Sequence, residues 1–189
     1  MSDEPLPSIA GARRLIVVVG PSGAGKDSVL RAWRAAPDAP HFAQRVITRP
    51  PESTEAHEAI SPADFAGMRS QGLLATWWQA HGLDYGVRRS QLDALAQGRW
   101  VVMNGSRAHL PAMRAQAPEL RVVALSAPAH LLAQRLAARA REDAAAREGR
   151  LARSVVVPVE AELELVNDGE LQRSVATLLQ WWQRVRGAG

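Results

Sequence analysis

Cysteine is absent from this 189-residue chain, and lysine occurs only once. Without cysteine there is no disulfide and no thiolate-bound metal, which suits a reducing compartment, so a cytoplasmic location is expected. No apolar run approaches the ~20 residues of a membrane span. Residues 1–12 carry acids and prolines but no apolar core, and are read as a flexible tail rather than a secretory signal. There is also no basic tail. The net charge is +4, but the arginines are scattered along the chain. Neither a nucleic acid nor a membrane surface is therefore an expected partner. Apolar residues make up 47% of the chain, enough for the core of one domain over residues 13–189.

The single lysine, Lys26, ends a glycine-rich segment, Gly20-Pro21-Ser22-Gly23-Ala24-Gly25-Lys26. All 22 other strongly basic residues are arginine. Arginine grips oxygens with a planar fork, whereas lysine is a compact charge on a flexible stem that can follow a moving phosphoryl group. An apolar run at residues 15–19 precedes the segment, and a helical pattern over residues 28–36 follows it. Strand, glycine loop, lysine and helix in that order form a phosphate-binding loop. Its backbone N–H groups and the helix N-terminus would face the phosphates of a nucleoside triphosphate. Gly20 through Ser28 are thus the candidate ATP-binding residues, with Lys26 on the outer phosphates.

One position departs from the usual loop. A hydroxyl residue that ligates Mg²⁺ is expected after the lysine, but Asp27 stands there, followed by Ser28. Two readings are open. A carboxylate beside a triphosphate needs a cation between them, which makes Asp27 a Mg²⁺ ligand. Alternatively, it is an acidic residue favoured in a helix's first turn by the macrodipole.

Apolar runs alternate with helical stretches along the rest of the chain, which predicts an α/β fold with a parallel sheet. Further strands are expected at 44–48, 100–103, 120–125 and 162–166. Helices are expected at 63–71, 90–97, 107–116, from 128 into the 140s, and from the turn at 167–169 toward 186. Residues 49–64 read as loop. Arg135 and Arg139 lie four apart and so share one helix face. That face is either a solvated surface or the start of a lid that neutralises a transferring phosphoryl group. Trp77, Trp78, Trp181 and Trp182 read as packing residues.

The loop GPSGAGKD, Ile47-Thr48-Arg49-Pro50, Asp84-Tyr85-Gly86-Val87 and the Arg135-Leu136 lid start together resemble the guanylate kinase-like group of P-loop kinases, over residues 14–186. The resemblance implies the three-layer P-loop NTPase and nucleoside monophosphate kinase-like fold. It also implies an acceptor-binding insertion at about 48–98 and an Arg-rich lid at about 135–153. Guanylate kinases continue differently after the T-x-R-x-P segment and carry Asp-x-Asp where Asn104-Gly105-Ser106-Arg107 stands here. With these departures, VITRP, the Glu55 and His57 pair, WQAHGLDYGV, VVMNGSRAHLP, RLAARARED, RLAR and VNDG resemble the ribose 1,5-bisphosphate phosphokinase family.

That family implies an ATP- and Mg²⁺-dependent kinase of phosphonate breakdown whose acceptor is a sugar bisphosphate. Thr48, Arg49, Glu55, His57, His81, Tyr85, Asn104, Ser106 and Arg107 are the candidate acceptor residues. Lys26, Arg135 and Arg139 are the candidate catalytic ones. The histidines and Tyr85 also have plain structural readings, and Asn104 also reads as a strand-end cap. A nucleoside monophosphate kinase, or a module that binds phosphorylated ligands without catalysis, remains the alternative.

Lys26→Met is expected to fold normally and to lose phosphoryl transfer by about 10²-fold or more, because it removes charge that counts most in the transition state. Steady-state turnover of the folded variant checks this, and near-normal turnover contradicts the loop's assignment.

Overall fold

The computed structural model describes residues 8–49, 57–142 and 159–188. Every residue of the first strand, β1 (Leu15–Val19), is buried, and this apolar run, β-branched from Ile16 on, is what a strand covered on both faces requires. After the glycine loop comes α1 (Lys26–Arg34), then β2 (His41–Phe42), β3 (Arg45–Ile47) and β4 (His57–Ala59). Next are α2 (Pro62–Ser70), β5 (Leu74–Ala80), β6 (Leu83–Arg88), a 3₁₀ turn and α3 (Asp93–Ala96). The order ends with β7 (Val101–Asn104), α4 (Leu110–Gln116), β8 (Arg121–Ser126), α5 (Ala129–Glu142), β9 (Leu163–Val166) and α6 (Leu171–Gly187). The parallel sheet has the order β2-β7-β1-β8-β9, and a second sheet has the order β4-β3-β6-β5. The expected α/β fold with a central parallel sheet is present.

The chain divides into two compact units. Of the described residues, one unit comprises 8–16, 40–49, 57–104 and 108–120, and holds the second sheet. There β3 pairs with β4 in parallel and with β6 antiparallel, and β5 pairs antiparallel with β6. The register gives the sheet two distinct faces. Val46 lies opposite Gly86, which lies opposite Trp77, and this face packs on α2 through Phe65, Met68 and Leu74. The other face carries Arg45, Ile47, His57, Tyr85, Val87, Thr76 and Trp78. α2 starts where Ser61 accepts a hydrogen bond from the Asp64 N–H (3.1 Å) and Pro62 fills the first turn.

The sequence pattern does not reveal the β5–β6 hairpin or the short β2 and β4, and it reads as loop over 49–64, where β4 and the start of α2 lie. β5 does not alternate cleanly. Trp77 and Trp78 are consecutive, a bulge falls between Leu74 and Thr76, and both faces are covered. The two-residue turn has positive φ at both positions, His81 (55°) and Gly82 (71°). Asn-Gly or Asp-Gly is the usual signal for that turn, so His-Gly hides it.

The other unit comprises, of the described residues, 17–39, 105–107, 121–142 and 159–188. β8 and β9 run parallel in it, and α1 packs on α6. Trp33 of α1 is fully buried, edge-on to Trp181 (6.5 Å) and Trp182 (5.6 Å). Trp182 Nε1 donates to the Asp38 carbonyl (2.9 Å), so its one polar atom is satisfied. All three are core, as the sequence suggests for Trp181 and Trp182, and truncating one such ring costs ~3–5 kcal/mol. α1 begins at Lys26, two residues earlier than its pattern predicts, because Gly25 in the left-handed region ends the loop and lets helical geometry start at once.

Candidate active site

The glycine loop joins β1 to α1 in the second unit. Gly25 has φ of 89°, and a Cβ there would collide with the side-chain amide of Asn167. Asn167 is 4% exposed, and its Nδ2 donates to the Ala24 carbonyl at 2.9 Å. Arg135 Nη1 donates to the Gly23 carbonyl at 3.2 Å. The loop is thus held from outside by two side chains, one from the end of β9 and one from α5. Lys26 Nζ donates to the Gly20 (2.8 Å) and Pro21 (3.0 Å) carbonyls, so its ammonium is folded over the loop. Asp27 sits in the first turn of α1, half-buried beside Lys26. A cavity of about 350 Å³ opens between Arg135 and the 167–171 turn, with Gly23, Gly25 and Ser28 in its lining. Its rim combines loop backbone, a guanidinium and the N-terminus of a nine-residue helix, a setting that favours anions.

Gly105, Ser106 and Arg107 belong to this same unit. The Gly105 N–H donates to the Val18 carbonyl (2.9 Å), and a Cβ at 105 would lie 2.6 Å from Val17 Cγ1. Only glycine allows that approach, and it sets Ser106 and Arg107 beside the end of β1, the strand that leads into the phosphate loop. Burial pulls the Arg107 pKa below its ordinary value, and the guanidinium remains a cation at neutral pH.

In the first unit, Arg49, His57 and Tyr85 gather around one face of the second sheet. Arg49 Nη2 reaches within 3.5 Å of Tyr85 Oη. Thr48 spends its hydroxyl on the backbone: Oγ1 accepts from the Asp84 N–H at 2.9 Å, and the Thr48 N–H donates to the Asp84 carbonyl at 3.1 Å. Its part is to fix the segment that carries Arg49. Asn104 ends β7 and is 8% exposed. His81 occupies the exposed hairpin turn, apart from the strand residues that make the face. Glu55 lies outside the described residues, as do residues 143–153 of the expected lid and the side chain of Arg139.

Three residues of these sites carried no role in the sequence reading. Asn167 was visible only as part of the VNDG turn. Arg45, 8% exposed, places its guanidinium 5.8 Å from the Tyr85 ring centroid. His109 lies against Trp78 with Nε2 2.7 Å from Thr76 Oγ1, and burial lowers its pKa below the ordinary 6.5, favouring the neutral ring. Nothing local in the sequence marks Arg45, and His109, although inside the VVMNGSRAHLP motif, owes its surroundings to strand pairing and the packing of distant segments.

A parallel α/β sheet with a phosphate loop at a strand–helix junction, closed by one lysine, defines a P-loop kinase fold. Solved structures agree. A guanylate kinase from Anaplasma phagocytophilum superposes with a TM-score of 0.61 at 15% identity, covering 96% of this chain and 87% of that one. An unliganded sugar kinase from Janibacter gives 0.51 at 18% identity, covering 90% and 94%. No family model matches the chain. Curated relatives are nearer in sequence. The ribose 1,5-bisphosphate phosphokinase PhnN of Pseudomonas fluorescens is 48% identical over 146 residues, 76% of this chain and 77% of that one. Its counterpart in Rhizobium etli is 42% identical over 183 residues, 92% of each. The bifunctional ribose 1,5-bisphosphokinase-thymidine phosphorylase of Azorhizobium caulinodans is 40% identical over 95% of this chain, which spans only 27% of that longer protein. The chain belongs to the ribose 1,5-bisphosphate phosphokinase family.

Asn167→Ala is expected to weaken ATP binding about tenfold with the fold intact, because the Ala24 carbonyl loses its donor and Gly25 its neighbour. Titration with a non-hydrolysable ATP analogue measures this, and parent-like affinity contradicts the clasp.

Proposed function

We propose that this chain transfers the terminal phosphoryl group of ATP to the 1-phosphate of ribose 1,5-bisphosphate, giving 5-phosphoribosyl 1-diphosphate and ADP, in the cytoplasm and in phosphonate degradation. The observation that carries the reading is 42% identity over 183 residues to a ribose 1,5-bisphosphate phosphokinase, in a chain that keeps its one lysine in the phosphate loop.

In this reading an oxygen of the 1-phosphate forms the new bond to phosphorus as the bond to the bridging oxygen of ADP breaks. That attacking oxygen is already anionic at neutral pH, so no general base has to remove a proton. The residues act by alignment and charge. Loop N–H groups and Lys26 hold the donor phosphates, Lys26 exchanging the Gly20 and Pro21 carbonyls for phosphate oxygens. Arg135, anchored on Gly23, supplies positive charge beside the loop, with Arg139 one turn further along α5. Arg49, His57 and Tyr85, with Asn104, Glu55 and His81, are the proposed acceptor-binding residues of the first unit, where Thr48 fixes the Arg49 segment, and Ser106 and Arg107 are those of the second.

No group of three or more His, Asp or Glu able to hold a metal occurs among the described residues. Mg²⁺ does not require one, since it is commonly held by one or two carboxylates together with phosphates and water. Asp27, beside Lys26 at the start of α1, fits that role. Mg²⁺ bound there would offset charge on the phosphates. Asp27→Asn is expected to raise the Mg²⁺ concentration for half-maximal activity several-fold, and Asp27→Ser to recover part of the loss. Unchanged Mg²⁺ dependence in both variants leaves Asp27 as a helix-dipole residue only.

A coupled assay of ADP release tests the acceptor. With ATP and Mg²⁺, ribose 1,5-bisphosphate is expected to be turned over well and GMP poorly. Arg49→Ala is expected to weaken acceptor use about tenfold to a hundredfold, with the KM for ATP nearly unchanged. Faster turnover of GMP than of the sugar bisphosphate overturns the reading in favour of a nucleoside monophosphate kinase.

A further inference from the structure

The β5–β6 hairpin holds three aromatic residues, Trp77, Trp78 and Tyr85, and none of them leaves a ring face open. Trp77 points to the α2 side, where it packs against the cluster of Val46, Phe65, Met68 and Leu74, with the Arg69 guanidinium 4.5 Å from its centroid. On the opposite face, Trp78 and Tyr85 are each 7% exposed. They form a cross-strand pair with centroids 5.5 Å apart and planes within 8°. β6 lies between β3 and β5, so Tyr85 has Trp78 on one flank and Arg45 on the other. The His109 ring stacks on Trp78 at 5.3 Å and 22°, tied to Thr76. What Tyr85 still offers is its hydroxyl edge, the edge that Arg49 approaches.

We propose that this self-stack of Arg45, Tyr85, Trp78 and His109 determines acceptor specificity. The protein's own side chains fill the stacking positions, so the site takes a phosphate ester without an aromatic ring and refuses a nucleoside monophosphate. The inference rests on the functional reading above and names the cause of its selectivity. A base stacked on an open aromatic face gains affinity, roughly fivefold to a hundredfold. The three rings of this hairpin have no face left to provide that gain, whereas a phosphorylated sugar needs only charge-assisted hydrogen bonds from the hydroxyl edge and the arginines. Trp78 is a positioning residue: it acts through Tyr85, covering one face of the ring and fixing where the hydroxyl points.

Trp78→Ala and Trp78→Phe test this in the full chain. Trp78→Ala is expected to raise the KM for ribose 1,5-bisphosphate about tenfold without changing the KM for ATP. It is also expected to give GMP measurable binding by calorimetry where the parent shows none. Trp78→Phe keeps a ring against Tyr85 and is expected to restore parent values in both measurements. Should Trp78→Ala fail to fold, as judged by its circular dichroism melt, Trp78→Leu takes its place in the same comparison. The proposal is overturned if the aliphatic variant keeps the parent's acceptor KM and still refuses GMP, if Trp78→Phe behaves no better than the aliphatic variant, or if the parent itself binds GMP. A parent that transfers nothing to the sugar bisphosphate overturns the functional reading instead, and the GMP titrations still decide the stack.

Discussion

The hydrogen bond from the buried Asn167 amide to the Ala24 carbonyl holds the phosphate loop in shape, and much else in its unit depends on it. Gly25 must be glycine twice over, once for its left-handed φ and once because the Asn167 amide occupies the space of a side chain. That conformation ends the loop and starts α1 at Lys26, which places Asp27 in the first turn and leaves the helix's free N–H groups at the loop. Asn167 holds its position because it follows β9, whose pairing with β8 runs up to Val166. The Asn167 N–H itself donates to the Ser126 carbonyl at 2.8 Å. A loop held in one shape by the protein's own contacts is preorganised, so binding free energy is not spent on bending it.

The second sheet separates its two tasks by face. One face is closed on α2 by Val46, Phe65, Met68, Leu74 and Trp77, which makes the hairpin rigid. The other face can then carry charged and polar groups in fixed register, with Arg45, His57, Tyr85 and Thr76 standing on three adjacent strands and their neighbour. On the α2 face, the two-pronged ion pair of Arg88 with Glu58 (2.5 and 3.0 Å) spans from β6 to β4 across β3. Both side chains are about one-third exposed, so its contribution is geometric more than energetic.

The parts of this protein that obey local rules were legible in its sequence. The apolar strand, the glycine loop and the lone Lys26 predict one another, and the structure sets them in that order. The helices of the parallel sheet fell close to where their patterns put them. The hairpin was missed because Trp77 and Trp78 break alternation and a His-Gly turn carries a weak signal. Of the acceptor candidates, Ser106 and Arg107 fold with the phosphate-loop unit, while Arg49, His57 and Tyr85 fold with the second sheet. Segment order cannot reveal that division, since the chain passes between units at Asn104 and Gly105. The roles of Asn167, Arg45 and His109 come from contacts over long sequence separations, which no local pattern encodes.

In the proposed reaction an anionic phosphate oxygen, not a hydroxyl and not a nucleotide, receives the phosphoryl group. Phosphorus-31 NMR of a reaction containing the protein, ATP, Mg²⁺ and ribose 1,5-bisphosphate tests it directly. The account predicts that the 1-phosphate resonance is replaced by two mutually coupled diphosphate signals as ADP appears, while the 5-phosphate signal persists. A new monophosphate ester signal, or ATP and the sugar bisphosphate both unchanged in the presence of folded protein, would contradict it.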